Sequence, residues 1–146
     1  MYKNIEKQTA LELREQVDYQ AGQIISRTLV QNELMSMTLF AFEKGEEIST
    51  HAAGGDAMVT VLEGVGRFTV GGDVFVLTEG ETLVMPKDVP HAVYGQERFK
   101  MLAAAAIPIT TAPLPVTTPP ATPPRPSWWW PPAPTSLPLS LWRAAR

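Results

Sequence analysis

Apolar and polar residues alternate with a period of two along much of the chain up to Leu102. That period places successive side chains on opposite faces of a strand. Residues 23–30 are rich in Ile, Thr and Val and read as a first strand, with Gln31-Asn32 as its turn. Residues 34–42 read as a second. Met35, Met37, Leu39 and Ala41 share one parity, and Ser36 and Thr38 the other, which turns apolar at Phe40 and Phe42. A strand apolar on both faces near one end is expected to be covered on both sides there. In a single-layer barrel the outer cover is expected from a second subunit. Further strands are expected at 58–62, 67–70, 73–77, 82–85, 91–94 and 99–102. Gly71-Gly72 suits a tight hairpin, and Pro86 to Pro90 cannot form a central strand. Short strands separated by frequent turns, with no clear long helix, predict an all-β antiparallel sandwich or barrel.

Two stretches break the pattern. Residues 9–17 admit a capped helical turn, from Thr9-Ala-Leu-Glu12 with Leu11, Leu13 and Val17 on one face, or a simple turn into a strand. Beyond residue 102 the composition changes. Twelve of the fourteen prolines and all four tryptophans lie there, and every acidic residue lies at or before Glu97. The expected organisation is an N-terminal arm at 1–20, a barrel at 21–102 and a Pro/Trp-rich tail at 103–146. The tail is expected to be polyproline-like and disordered or non-native, with a composition typical of GC-rich DNA read in a shifted frame.

Charge narrows the partners. Residues 1–102 carry nine basic and fifteen acidic groups, a net −6, and the three tail arginines bring the chain to −3. An acidic domain does not offer the clustered Lys and Arg that nucleic acid requires. No cysteine is present, which excludes disulfides and thiolate metal sites and fits a cytoplasmic setting. The polar start has no apolar h-region, so no signal peptide is expected. No apolar run is long enough to span a membrane.

The two histidines carry the candidate chemistry. His51 stands in Gly45-Glu-Glu-Ile-Ser-Thr-His51, and His91 in Gly80-Glu-Thr-Leu-Val-Met-Pro86-Lys-Asp-Val-Pro-His91. From Gly45 to Tyr94 the chain resembles the small single-domain cupins, the RmlC-like jelly rolls. That family's first motif reads G-x5-H-x-H-x3-E-x6-G, matched here by Gly45, His51 and Gly64. Ala53 stands for the second His, and Ala57 for the Glu. Its second motif reads G-x5-P-x-G-x2-H-x3-N, matched by Gly80, Pro86 and His91, with Asp88 for Gly and Gly95 for Asn.

The resemblance implies an antiparallel double-stranded β-helix, a homodimer, and a pocket in which three imidazoles and a carboxylate hold Fe, Mn, Ni, Cu or Zn. In this chain the metal ligands reduce to His51 and His91. Asp56 is the nearest carboxylate, and its strand parity points it away unless Gly54-Gly55 form a bulge. The leading reading is a small cupin protein that binds a small organic ligand in the barrel. His51, His91, Met37, Val59, Met85 and Tyr94 are the candidate ligand-binding residues. By parity, Leu39, Val61 and Val93 also face inward, and Arg67 is a second polar candidate at the mouth. The alternative is a metal-dependent cupin enzyme, a dioxygenase or isomerase, with His51 and His91 as partial ligands to a weakly bound divalent metal. A metal-free isomerase with His51 as general base and Tyr94 as acid is a further reading.

Overall fold

The computed structural model describes residues 1–108. The expected tail lies, from residue 109 onward, outside the described residues.

Seven antiparallel strands run in the order β1 (Ile24–Gln31), β2 (Met35–Phe42), β3 (Glu47–His51), β4 (Ala57–Val70), β5 (Asp73–Leu77), β6 (Thr82–Met85) and β7 (His91–Ala106). The fold is the expected all-β jelly roll. Two pairs of expected strands are fused, 58–62 with 67–70 in β4 and 91–94 with 99–102 in β7. These two long strands pair along most of their length and form the spine of both walls. One wall runs β1, β2, the second half of β7, the first half of β4, and β6. The other runs β3, the first half of β7, the second half of β4, and β5. The register between β4 and β7 shifts between Val61 and Glu63 and again between Gly64 and Gly66. Such bulges let one strand bend from wall to wall. Gly64 has φ +79°, and a Cβ there would strike the backbone of Arg98, so only glycine fits the bend.

The space between the walls is filled at one end by Phe42, Phe68 and Phe99, all fully buried. Phe42 and Phe99 stack at 4.6 Å, and Phe68 meets Phe99 edge-on at 6.0 Å. Burying each such ring contributes roughly 1.5–3 kcal/mol relative to exposure. β7 also runs past its expected end at Leu102. Ala103 to Ala106 pair with β2 on one side, and Ala103 to Ala105 with β4 on the other.

A second apolar cluster covers the outer face of β2. Leu39 and Ala41 are fully buried there with Leu29 and Val17, and Leu13, Tyr19 and Met37 pack against them. The cover expected from a second subunit is therefore supplied by this chain's own arm. The arm holds one 3-10 turn, Leu13–Gln16, and no side chain caps it; the Thr9 hydroxyl bonds the Lys7 carbonyl instead. The barrel grips the arm through cations. Lys100 Nζ donates to the Arg14 carbonyl at 2.6 Å and pairs with Glu63 at 3.0 Å. Arg27 Nη1 donates to the Gln16 carbonyl at 2.6 Å. Tyr19 lies under Lys100 Nζ at 4.8 Å and Arg98 at 5.1 Å. Burial pushes the Tyr19 phenol up to about 12, with the nearby Glu63 carboxylate adding to the rise.

Candidate functional site

β3 and the start of β7 bring the two histidines together. His51 pairs with His91 across the ladder, and the ring centroids lie 4.4 Å apart with planes at 64°. His91 is buried and His51 is exposed. Each ring is fixed by its own backbone. His51 Nδ1 lies 3.0 Å from the Ser49 carbonyl, and His91 Nδ1 lies 3.1 Å from the Val89 carbonyl. A carbonyl oxygen only accepts, so each Nδ1 carries the proton. In the neutral ring the Nε2 lone pair is then free.

The rings border a cavity of about 240 Å³ between the walls. Four alanines make the room: Ala53, Ala57, Ala103 and Ala105 all line it. Larger apolar side chains close it, among them Phe40, Ile48, Val59, Met85 and Met101. Ser36 and Thr38 add two hydroxyls from the opposite wall. Thr38 Oγ1 is 3.5 Å from Thr28 Oγ1, its cross-strand neighbour. Among the described residues no Asp, Glu, Lys or Arg lines the cavity.

Of the six candidate ligand-binding residues, His51, His91, Val59 and Met85 line this space, and Met37 and Tyr94 do not. The inward parity of β2 is the opposite of the one expected. Ser36, Thr38 and Phe40 face the cavity, and Met37 and Leu39 face the arm-covered cluster. Apolarity alone misassigned the strand, because the arm gives its outer face a core of its own. On β7, His91 and Val93 line the cavity, so Tyr94 projects from the other face. There the Arg67 guanidinium sits 4.3 Å over the Tyr94 ring. Tyr94 is thus not placed to serve as an acid partner to His51, and Arg67 is not at the cavity. Val93 lines the cavity as expected, and Val61 is buried in the core beyond it.

Ser36, Thr38, Phe40, Ile48, Met101, Ala103 and Ala105 line the cavity without having been expected there from the sequence. The polar parity of Ser36 and Thr38 gives no sign of an inward face, and the structure turns both toward the cavity. The alanines alternate in step with Met101, which was the available signal.

The donor set does not suit a resident transition metal. Ala53 and Ala57 line the cavity with methyl groups where the family pattern has an imidazole and a carboxylate. Asp56 is turned away, its Oδ1 accepting the Lys87 N–H at 2.8 Å. Among the described residues no group of three or more His, Cys, Asp and Glu could hold a metal ion. Two imidazoles fill half of a tetrahedral shell and a third of an octahedral one.

A family model described as a cupin domain matches residues 38–104. A conserved protein of unknown function from Streptococcus pyogenes is 41% identical and superposes with a TM-score of 0.72, over 73% of this chain and 94% of that one. A cupin superfamily protein from Desulfitobacterium hafniense is 29% identical with a TM-score of 0.72, over 74% of this chain and 99% of that one. A cupin 2 conserved barrel domain protein from Leptotrichia buccalis is 44% identical with a TM-score of 0.65, over 66% of this chain and 47% of that one. Among curated proteins none matches the chain.

Proposed function

The chain belongs to the cupin family, and from that premise we propose that its barrel is a binding module for a small organic ligand, with His51 and His91 as polar anchors. The fold itself hosts many chemistries and does not choose among them. The observation that carries the reading is the pairing of a real cavity with an incomplete metal shell. About 240 Å³ is kept open by alanines, two of them at the positions where the family pattern has metal ligands. Concave, mostly apolar sites with a few convergent polar groups are the usual form of small-molecule pockets.

The test uses full-length protein purified without an affinity tag, by elemental analysis and native mass spectrometry. Substoichiometric metal together with a bound small molecule supports the binding module. Near-stoichiometric metal that disappears in His51→Ala and His91→Ala moves the assignment to a metal-dependent enzyme. One observation favours that second reading: both Nδ1 protons are committed to carbonyls, and metal-bound histidines commonly hold that arrangement.

The same proposal includes a homodimer. The arm covers only part of the outer face of the β1–β2–β7–β4–β6 wall. The remainder carries the exposed Leu34, Met58, Val84 and Ile107 around the half-buried Met35. Met58 pairs with both Val84 and Ala104, so these side chains form one patch. A second copy is the occupant that suits it. A two-fold contact sets a patch against itself, and two copies of an acidic chain meet at least cost where the surface carries almost no charge. Asp56 borders this patch, and its Oδ1 is bonded to the Lys87 N–H.

A further inference from the structure

Resting on the reading of the cavity as a ligand site, we propose that it takes a single-ring, uncharged molecule that donates a hydrogen bond, received directly by His51 and His91 without an intervening metal. A phenol is the simplest member of that class. Size, charge and polarity each set one limit.

Size comes first. A dry apolar cavity of roughly 150 Å³ holds one benzene ring. The present cavity, at about 240 Å³, holds one ring with a substituent or two. It is smaller than the roughly 300–1,000 Å³ that drug-sized ligands occupy.

Charge comes second. A carboxylate or phosphate drawn into this space meets no Lys or Arg among the described residues that line it. An ammonium group meets no Asp or Glu for the same reason. An ion carried past the two rings into the apolar part of the cavity would lack a partner there and is disfavoured, so a neutral ring is favoured.

Polarity decides the anchor. Each imidazole spends its Nδ1 proton on a backbone carbonyl two residues earlier, Ser49 for His51 and Val89 for His91. What the neutral pair offers the cavity is therefore acceptor capacity at Nε2. The complementary ligand group is an O–H or N–H. Apart from the Ser36 and Thr38 hydroxyls on the opposite wall, the described lining, including Ile48, Val59, Met85 and Val93, is apolar and suits an aromatic or aliphatic ring.

The test compares phenol, toluene and benzoate by calorimetry on the full-length protein, before and after exhaustive chelation. These probes share one ring and differ in donor and charge. Phenol is expected to bind roughly tenfold tighter than toluene, the scale of one net hydrogen bond. Benzoate is expected to bind more weakly than phenol, and chelation to change nothing. His91→Ala is expected to bring phenol down to toluene's affinity. His91 is buried, so a fold check is needed. Ala103→Leu, which adds bulk to the cavity from the β7 wall and keeps both histidines, is expected to abolish binding of all three. Benzoate binding as tightly as phenol, or phenol binding lost on chelation, overturns the proposed class. Equal binding of phenol and toluene also overturns it, while leaving the cavity as a ligand site. If none of the three binds, both the class and the underlying reading fall.

Discussion

The His91 ring sits edge to face with the His51 ring, at 4.4 Å between centroids, with Ala53 and Ala57 lining the same space. The two imidazoles are placed as two members of a larger ligand set, and the methyl groups stand where the other members are missing. Restoring those members is therefore a direct test of the geometry. In Ala53→His with Ala57→Glu, the cavity gains an imidazole and a carboxylate beside the existing pair. That variant is expected to bind about one nickel or zinc ion per chain, and the parent protein far less. Elemental analysis after dialysis against the metal checks it. Equal metal content in the two proteins would show that the alanines do not face the imidazoles.

The alanine wall predicts an uncoupling of stability from binding. Ala103→Leu adds apolar atoms to open space instead of to a filled core. Folding stability is expected to hold or rise by about 1 kcal/mol, since each newly buried methylene contributes roughly 0.8 kcal/mol. At the filled end of the barrel the result reverses. Phe99 is fully buried between Phe42 and Phe68, and Phe99→Ala is expected to cost about 3–5 kcal/mol. Denaturant titration of the two variants measures both. A loss of several kcal/mol in Ala103→Leu would mean that no usable space exists beside β7.

Much of this arrangement is legible in the sequence. The spacing from Gly45 to His51 and from Gly80 to His91 pointed to a jelly roll whose walls bring the two rings together. Gly71, at φ +62°, makes the expected two-residue turn from Val70 to Asp73. What failed to read was any feature that depends on how separate elements cover one another. Met37 and Leu39 are apolar because the arm packs on them, and a strand pattern does not reveal which of two apolar environments a side chain enters. Ala103 to Ala106 carry little β propensity of their own. They extend the strand because β2 and β4 hold them from both sides. Residues 47–51 alternate too weakly to stand out, and the ladder with β7 makes them β3.

The arm's attachment predicts a specific alkaline weakness. The Tyr19 phenol is pushed from 10.0 to about 12 in the fold. The protonated form is therefore favoured in the native state, and its contribution is complete below pH 10. The unfolded chain loses that proton first as pH rises, so stability falls between pH 10 and about 12. Glu63, Arg98, Glu43 and Lys100 surround the ring, and Tyr19→Phe leaves them in place. Tyr19→Phe is expected to flatten the decline over that window while losing little at neutral pH. Thermal melts at several alkaline pH values check it. A decline equally steep in the variant would assign the weakness to another group.

The apolar patch on the β4–β6 side of the wall predicts the assembly. Val84 and Met58 are about half exposed, at 54% and 46%, and neighbour each other across the β4–β6 ladder. Introducing like charges on a two-fold contact sets them against their own copies. Met58→Lys with Val84→Lys is expected to turn a dimer into a monomer at micromolar concentration, and to leave the cavity and its ligand affinity intact. Light scattering on the full-length protein decides it. A parent protein that is already monomeric, or a dimer indifferent to both lysines, would remove this face from the proposal.

The extent of the folded unit yields the last prediction. We propose that the barrel with its arm folds without the residues from 109 onward. The ladder supports this: β7 ends at Ala106, the Ala106 N–H donates to the Asp56 carbonyl at 2.9 Å, and the Ile107 N–H donates to the Leu34 carbonyl at 2.8 Å. These bonds tie the end of β7 to its neighbours by Ile107, and among the described residues both apolar clusters draw only on earlier positions. A chain ending at Pro108 is therefore expected to melt within about 2 °C of the full-length protein, well under the 4–8 °C that 1 kcal/mol produces in a domain near this size. Truncating four residues further, at Ala104, removes the pairing of Ala105 with Ser36 and Ala57 and opens the cavity wall. That shorter chain is expected to melt several degrees lower and to lose ligand affinity. If the cut at Pro108 destabilises as much as the cut at Ala104, the fold requires chain beyond the barrel.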